Sequence, residues 1–266
     1  MPHPAINIAT EAAHTAGEIM RRSLQRLDTV PVARKARHDY VSDVDRACEA
    51  AIVKEIHRFN PDHAILAEEG GRQGEAGDVL WIIDPLDGTS NYLHGIPHFC
   101  VSIAYQVKGR VEHGVIYDPM RDELFTASRG VGAFMNSQRI RVSDRKHLEN
   151  AILATAFPFR ARQAMPVYTR IFSSVYRKVE DIRRMGAAAL DLAWTAAGRY
   201  DGYFEMGLKP WDVAAGALLV REAGGVVSDF GGKDNVEDAG SILAASFKLT
   251  TPLRQLITPH WNETES

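Results

Sequence analysis

Apolar residues near the start of the chain recur every three or four positions. From Pro4 to Leu27 they fall at Ile6, Ala9, Ala13, Ala16, Ile19, Met20 and Leu24, the spacing of one amphipathic helix. A second helix is expected after Ser42 or Asp43, both good N-caps, running to about Phe59 through Val44, Ala47, Ala51, Ile52 and Ile56. Pro61 should end it.

Beyond that point the period changes. Ala64-Ile65-Leu66-Ala67 and Val79-Leu80-Trp81-Ile82-Ile83 are short apolar runs of strand length, each followed at once by acidic residues. Phe99 to Val107, Val111 to Tyr117 and Glu123 to Ala127 are β-rich and separated by turn signals, which predicts an antiparallel meander. The later chain alternates strand-like runs (Ile152 to Thr155, Ile182, Tyr200 to Glu205, Val226-Val227, Ile242 to Ala245) with helical ones. The helices are expected over Val167–Val179, Ala187–Ala197 and Trp211–Ala223, the last closed by Gly224-Gly225. Such alternation predicts an α/β protein with helices over both faces of a sheet. A single domain over residues 1–266 is expected, built as packed halves of roughly 1–150 and 151–266. From about Thr258 the tail reads as frayed.

Composition changes this picture little. The chain has 266 residues, a net charge of −3 and no basic stripe, so neither a nucleic-acid nor a protein partner is indicated. Its two cysteines, Cys48 and Cys100, fall in apolar patterns and read as buried free thiols. No secretory pattern and no membrane-length apolar run is present, so the cytoplasm is the expected location.

The informative feature is the position of the carboxylates. Glu68-Glu69 and Asp84 follow apolar strands, Asp87 lies three residues on, and Asp45 and Asp212 open helices. Strand ends and helix starts are where open α/β sheets build ligand sites. In Asp84-Pro85-Leu86-Asp87-Gly88-Thr89, Pro85 imposes an extended or turn geometry. The two aspartates can then face one point with the Leu86 carbonyl between them. Gly88 permits close backbone approach to a ligand, and Thr89 can start a helix whose first N–H groups, with that of Gly88, hold phosphate oxygens. Two carboxylates about 4 Å apart repel by about 4 kcal/mol at an effective dielectric near 20, so a converging cluster calls for cations. Lys35, Arg183, Arg184 and Lys209 are the cationic side chains expected nearby. Magnesium, a hard cation, suits an all-oxygen site.

Other motifs are weaker. His94-Gly-Ile-Pro-His98 has the spacing of a helical zinc pair, but its glycine and proline oppose a helix. Gly130 and Gly132 form no dinucleotide fingerprint, and no Gly-x-Ser-x-Gly elbow is present.

Trp81-Ile-Ile-Asp-Pro-Leu-Asp-Gly-Thr-Ser-Asn-Tyr92 and Trp211-Asp-Val-Ala-Ala-Gly216, with Glu222-Ala-Gly-Gly225, resemble the two signatures of the inositol monophosphatase family. Asp39-Tyr-Val-Ser-Asp-Val-Asp45 and Ala67-Glu-Glu69 match as well, and the resemblance to its bacterial branch runs along nearly the whole chain. It implies a layered αβαβα sandwich, usually dimeric, and hydrolysis of a small polyol or sugar phosphomonoester, with inositol monophosphate as the leading substrate. It also implies lithium inhibition and two or three magnesium ions. Glu68, Asp84 and the Leu86 carbonyl would hold the first, and Asp84, Asp87 and Asp212 the second. Glu68 would also face a third. By the same resemblance Asp45, Glu69 and Thr89 serve the attacking water, and Gly88 and Thr89 the phosphate. Arg183, Gly186, Ala188, Glu205 and Asp212 would meet the polyol. Fructose-1,6-bisphosphatase, histidinol-phosphatase and nucleotide 3′-phosphatase activities share this machinery, and a regulatory dimer for protein or RNA partners is the alternative of another kind.

Overall fold

In chain order the computed structural model contains α1 (Pro4–Leu24), β1 (Val32–Ala36), β2 (Asp39–Ser42), α2 (Asp43–Phe59), β3 (Ala64–Ala67), β4 (Gly71–Gln73), β5 (Val79–Asp87) and α3 (Thr89–Leu93). The meander follows as β6 (Cys100–Val107), β7 (Arg110–Asp118), β8 (Glu123–Ser128), β9 (Gly132–Met135) and β10 (Gln138–Arg139). The remainder is β11 (Ile152–Thr155), α4 (Met165–Tyr176), β12 (Asp181–Arg183), α5 (Ala188–Ala196), β13 (Gly202–Met206), α6 (Pro210–Glu222), β14 (Gly225–Ser228), α7 (Val236–Ala239), β15 (Ser241–Ser246) and α8 (Phe247–Trp261). The structure describes residues 3–26, 32–36 and 39–261, without the side chains of 32–42. Lys35 therefore lies outside the described side chains.

Two mixed sheets organise the chain. The larger has the order β10-β9-β8-β7-β6-β5-β3-β4, antiparallel from β10 to β5 and parallel between β5 and β3; the smaller has the order β12-β11-β13-β15-β14. Side chains alternate between layers. On β5, Trp81 and Ile83 enter the core beneath α1 and α2, while Ile82 enters the core shared with α5 and α6. On β13, Tyr203 joins that central core and Phe204 the outer one beneath α4 and α8. Both faces of each sheet are buried, so the strands read as continuous apolar runs rather than alternating ones. The layers run α1/α2, large sheet, α5/α6, small sheet, α4/α8, which is the expected αβαβα sandwich.

The central helix α6 lies close to the large sheet. A methyl group on Gly114 of β7 would sit 3.1 Å from both the Cα and the carbonyl oxygen of Ala215. Small residues along Val213-Ala-Ala-Gly-Ala217 permit this approach, and it fixes the start of α6, where Asp212 lies.

Two features depart from the sequence expectation. The C-terminal segment forms α8 through Trp261, although Pro252 and Pro259 lie within it; interior prolines remove backbone donors, and the apolar face of Leu249, Leu253 and Ile257 outweighs that loss. Strand β5 continues past Ile83 to Asp87 instead of ending before Asp84. The Gly88 backbone is crowded by protein: a Cβ there would lie 3.0 Å from the His98 carbonyl oxygen and 3.2 Å from the Phe99 Cα.

Candidate active site

The bulge in β5 is what gathers the aspartates. Asp84 pairs with Ser102 and Asp87 with Cys100, so three steps on β5 oppose two on β6. In a regular strand residues three apart point to opposite faces; the extra residue returns Asp87 to the side of Asp84. Pro85, with no N–H to lose, sits within the irregular stretch. The Leu86 amide donates to Asp84 Oδ1 at 3.1 Å, and the Ala189 amide at the start of α5 donates to Asp87 Oδ2 at 2.7 Å.

Gly88 then takes φ 91°, in the left-handed region glycine favours, and turns the chain into α3. The Thr89 hydroxyl lies 3.0 Å from Asp45 Oδ1 and 3.1 Å from the Leu86 carbonyl oxygen, so its single proton serves one of them at a time. The side-chain amide of Asn91 donates to the carbonyls of His98 at 2.7 Å and Met185 at 2.8 Å, tying α3 to the loop before α5.

The other wall comes from the later chain. Pro210 occupies the first turn of α6, where its missing donor costs nothing, and Asp212 reaches back to accept from the Lys209 amide at 2.7 Å. Glu205 on β13 is only 3% exposed and accepts a hydrogen bond from the Tyr203 hydroxyl.

Glu68, Asp84, Leu86, Asp87, Gly88, Thr89, Gly186, Ala188, Glu205 and Asp212 all line one cavity of about 350 Å³. Asp45 is joined to it through Thr89. Glu69 is absent from its lining, and the Glu69 amide is held by Glu49 Oε2 at 2.9 Å. Arg183 does not line it either: Arg183 pairs with Asp181, while its neighbour Arg184 faces the cavity. His94 also lines the cavity, with Nδ1 2.8 Å from the Ser90 carbonyl oxygen, whereas His98 is buried against Asp191 at 3.1 Å, so the two do not form a ligand pair. Cys48 and Cys100 are buried free thiols.

Burial and crowding raise the pKa values of Asp84, Asp87, Glu205 and Asp212. Burial raises Asp84 well above the ordinary range, and Glu68, Asp87 and Asp212 raise it further. Burial and then Asp212 push Asp87 up to about 7. Burial pushes Glu205 up to about 8, with the Tyr203 hydroxyl pulling it back. Asp212 is raised by burial and pulled down first by Arg160.

Arg160 is the residue that sequence reasoning missed. Its guanidinium donates to Asp212 Oδ2 at 2.8 Å and to Glu68 Oε1 at 3.0 Å, and one face stacks 4.7 Å from the Phe159 ring centre. Among the described residues no three carboxylate, imidazole or thiol groups are gathered closely enough to hold a metal ion as they stand. The donor chemistry nonetheless fits magnesium: the cavity is lined by carboxylates and a carbonyl, all hard oxygens, whose mutual repulsion a cation would relieve. No described helix is long and apolar enough to cross a membrane.

Comparison with known proteins agrees with this geometry. The chain is 53% identical over 262 residues to the Pseudomonas aeruginosa protein named Nus factor SuhB, covering 97% of each. It superposes on the extragenic suppressor protein suhB of Bartonella henselae with a TM-score of 0.93 and 42% identity, over 96% of this chain and 98% of that one. With the inositol monophosphatase of Anabaena (Nostoc) sp. PCC 7120 the TM-score is 0.85 and the identity 40%, over 95% and 94%. The model of the inositol monophosphatase family matches residues 1–264, and on that nearly end-to-end match the chain belongs to this family of phosphatases.

Proposed function

We propose that the chain hydrolyses a small polyol phosphomonoester with the help of magnesium, and that myo-inositol monophosphate is its best substrate. The observation that carries this reading is the meeting of Glu68, Asp84, Asp87 and Asp212 in one cavity beside the Asp45–Thr89 pair. Glu68, Asp84 and the Leu86 carbonyl would hold one magnesium ion, and Asp84, Asp87 and Asp212 a second, with a third facing Glu68. Bound there, magnesium would lower the pKa of a water and neutralise charge on the leaving oxygen.

The chain's own groups do the rest. Thr89 Oγ1 donates to Asp45 and accepts a hydrogen bond from the attacking water. The water's proton passes to Thr89 as the Thr89 proton passes to Asp45, and Glu69 supports that network from beyond the lining. The Gly88 and Thr89 amides meet the phosphate. Gly186, Ala188, Glu205 and Asp212 meet the hydroxyls, with Arg184 in the place first given to Arg183. Water attacks directly, with no phosphoenzyme, and Cys100 stands outside the cavity lining.

The Anabaena relative's name favours inositol as the polyol. Fructose-1,6-bisphosphate, histidinol phosphate and a nucleotide 3′-phosphate are the competitors, and a homodimer belongs to the same reading. Turnover on this panel with magnesium, with a chelator, and with magnesium restored is the test. Activity should vanish with the chelator and return, and it should fall with millimolar lithium. Undiminished turnover after metal stripping would sink the mechanism.

A second reading rests on the relatives named Nus factor SuhB and on a surface groove of about 540 Å³ beside α4 and α8, lined in part by Arg170, Arg177, Lys178 and His260. It is that the groove takes an RNA backbone. Fluorescence anisotropy with RNA over a salt series checks it, and binding unaffected by Arg177→Ala with Lys178→Ala would dismiss the groove.

A further inference from the structure

Arg160 stands on the segment between β11 and α4, so it reaches the cavity from the side of the small sheet. One end of its guanidinium holds Asp212, on the first turn of α6; the other holds Glu68, which follows β3 of the large sheet. Asp212 Oδ2 is also engaged by the Lys209 amide. The planar fork thus spans two carboxylates contributed by different layers, and the proposed function assigns both of these to magnesium. A guanidinium and a divalent ion seek the same lone pairs, and two cations a few ångströms apart repel each other.

Resting on that reading, we infer that Arg160 is a tethered cation competing with magnesium for Glu68 and Asp212, and that metal loading requires its guanidinium to leave them. The arrangement permits departure: the side chain is 20% exposed and sits on a connecting segment rather than within a strand or helix. While in place it offsets the repulsion among the carboxylates. Once the ions are bound, that compensation is no longer needed. Competition of this kind weakens the apparent metal affinity by the factor the guanidinium contacts are worth.

Isothermal titration of the metal-stripped full chain with magnesium alone is the test, comparing wild type with Arg160→Met and with Arg162→Met. Arg162 lines the same cavity, so its loss removes the same charge without breaking the bridge from Arg160 to Glu68 and Asp212. Arg160→Met should tighten magnesium binding about tenfold, or 1.4 kcal/mol. Arg162→Met should change it by less than about threefold, the effect of the cavity field alone. Without metal, Arg160→Met should also unfold at a lower temperature than wild type, and with saturating magnesium the difference should close. If Arg160→Met fails to fold, Arg160→Lys serves, keeping the charge but losing the fork; it should bind magnesium more tightly than wild type. Unchanged or weaker affinity on replacing Arg160, or equal tightening in the Arg160 and Arg162 variants, would overturn competition and leave the metal reading standing. No magnesium binding to wild type would overturn both.

Discussion

Asp87→Asn removes one titratable proton from the cavity while keeping its shape. An asparagine carbonyl can accept the bond that the Ala189 amide now donates at 2.7 Å. Burial, then Asp212, lift this carboxyl from its reference value of 3.8 to about 7 in the folded, metal-free protein. A group raised by folding stabilises the native state below its unfolded pKa, and that stabilisation is lost as pH rises through the folded value. For Asp87 the window opens near 4 and closes just above 7. Between about pH 5 and about pH 8 the loss is on the order of 2–3 kcal/mol, at roughly 1.4 kcal/mol per unit for the portion of the shift crossed. Urea unfolding in chelator at the two pH values measures it for both proteins. The wild-type stability minus the variant's should fall by that amount on going to the higher pH. Magnesium added to the wild type at the higher pH should restore stability by binding only the folded state. A wild-type–variant difference that is independent of pH, or that grows with it, would refute the account of the cluster as a set of crowded, proton-holding carboxyls.

Measured above pH 8, where the Glu205 carboxyl is ionised, Glu205→Gln should lower kcat/KM for inositol monophosphate roughly ten- to a hundredfold, since a charge-assisted bond to a hydroxyl is worth about 1.5–3 kcal/mol, and should leave an aryl phosphate nearly unaffected. Equal losses on the two substrates would assign Glu205 to the metals or the fold. Thr89→Ala should lower kcat about a hundredfold or more with little change in KM, measured under steady-state conditions with saturating magnesium; a rise in KM alone would limit Thr89 to binding. Gly88→Ala should destabilise the protein by about 1–3 kcal/mol in urea unfolding, because alanine at φ 91° is strained and its methyl meets the His98 carbonyl at 3.0 Å. A near-zero change would mean that the turn yields easily.

What was legible in the sequence was whatever is local. Helix α2 begins at Asp43 and ends at Phe59 as its N-cap signal and periodicity require, and the meander follows its turn residues. The carboxylates announced themselves by standing at the ends of apolar runs. Less visible were effects that depend on partners distant in sequence. Arg160 lies 92 residues from Glu68 and 52 from Asp212, and nothing in its local pattern marks it. Arg183 and Arg184 were both expected near the carboxylates, but neighbouring residues on an extended segment face opposite ways, and only Arg184 lines the cavity. Pro85 suggested that β5 had ended, when the strand absorbs it as a bulge. Glu205 stands at the end of a strand, where a carboxylate is ordinarily solvated, and its burial depends on neighbours from elsewhere in the chain. In α8, Pro252 and Pro259 masked a helix that packing sustains.

The carboxylates reach the cavity from both sheets: Glu68, Asp84 and Asp87 from the stretch that ends with β5, Glu205 and Asp212 from β13 and α6. The chain passes between the two groups once, through residues 140–151, between the end of β10 and the start of β11. A nick in that connection would leave two fragments, each with an incomplete set of acidic groups and neither able to turn over substrate. Mixing the fragments would restore turnover only to the extent that they reunite face to face. Hydrolysis would then serve as a titration of reassembly, with the reaction rate counting correctly joined molecules.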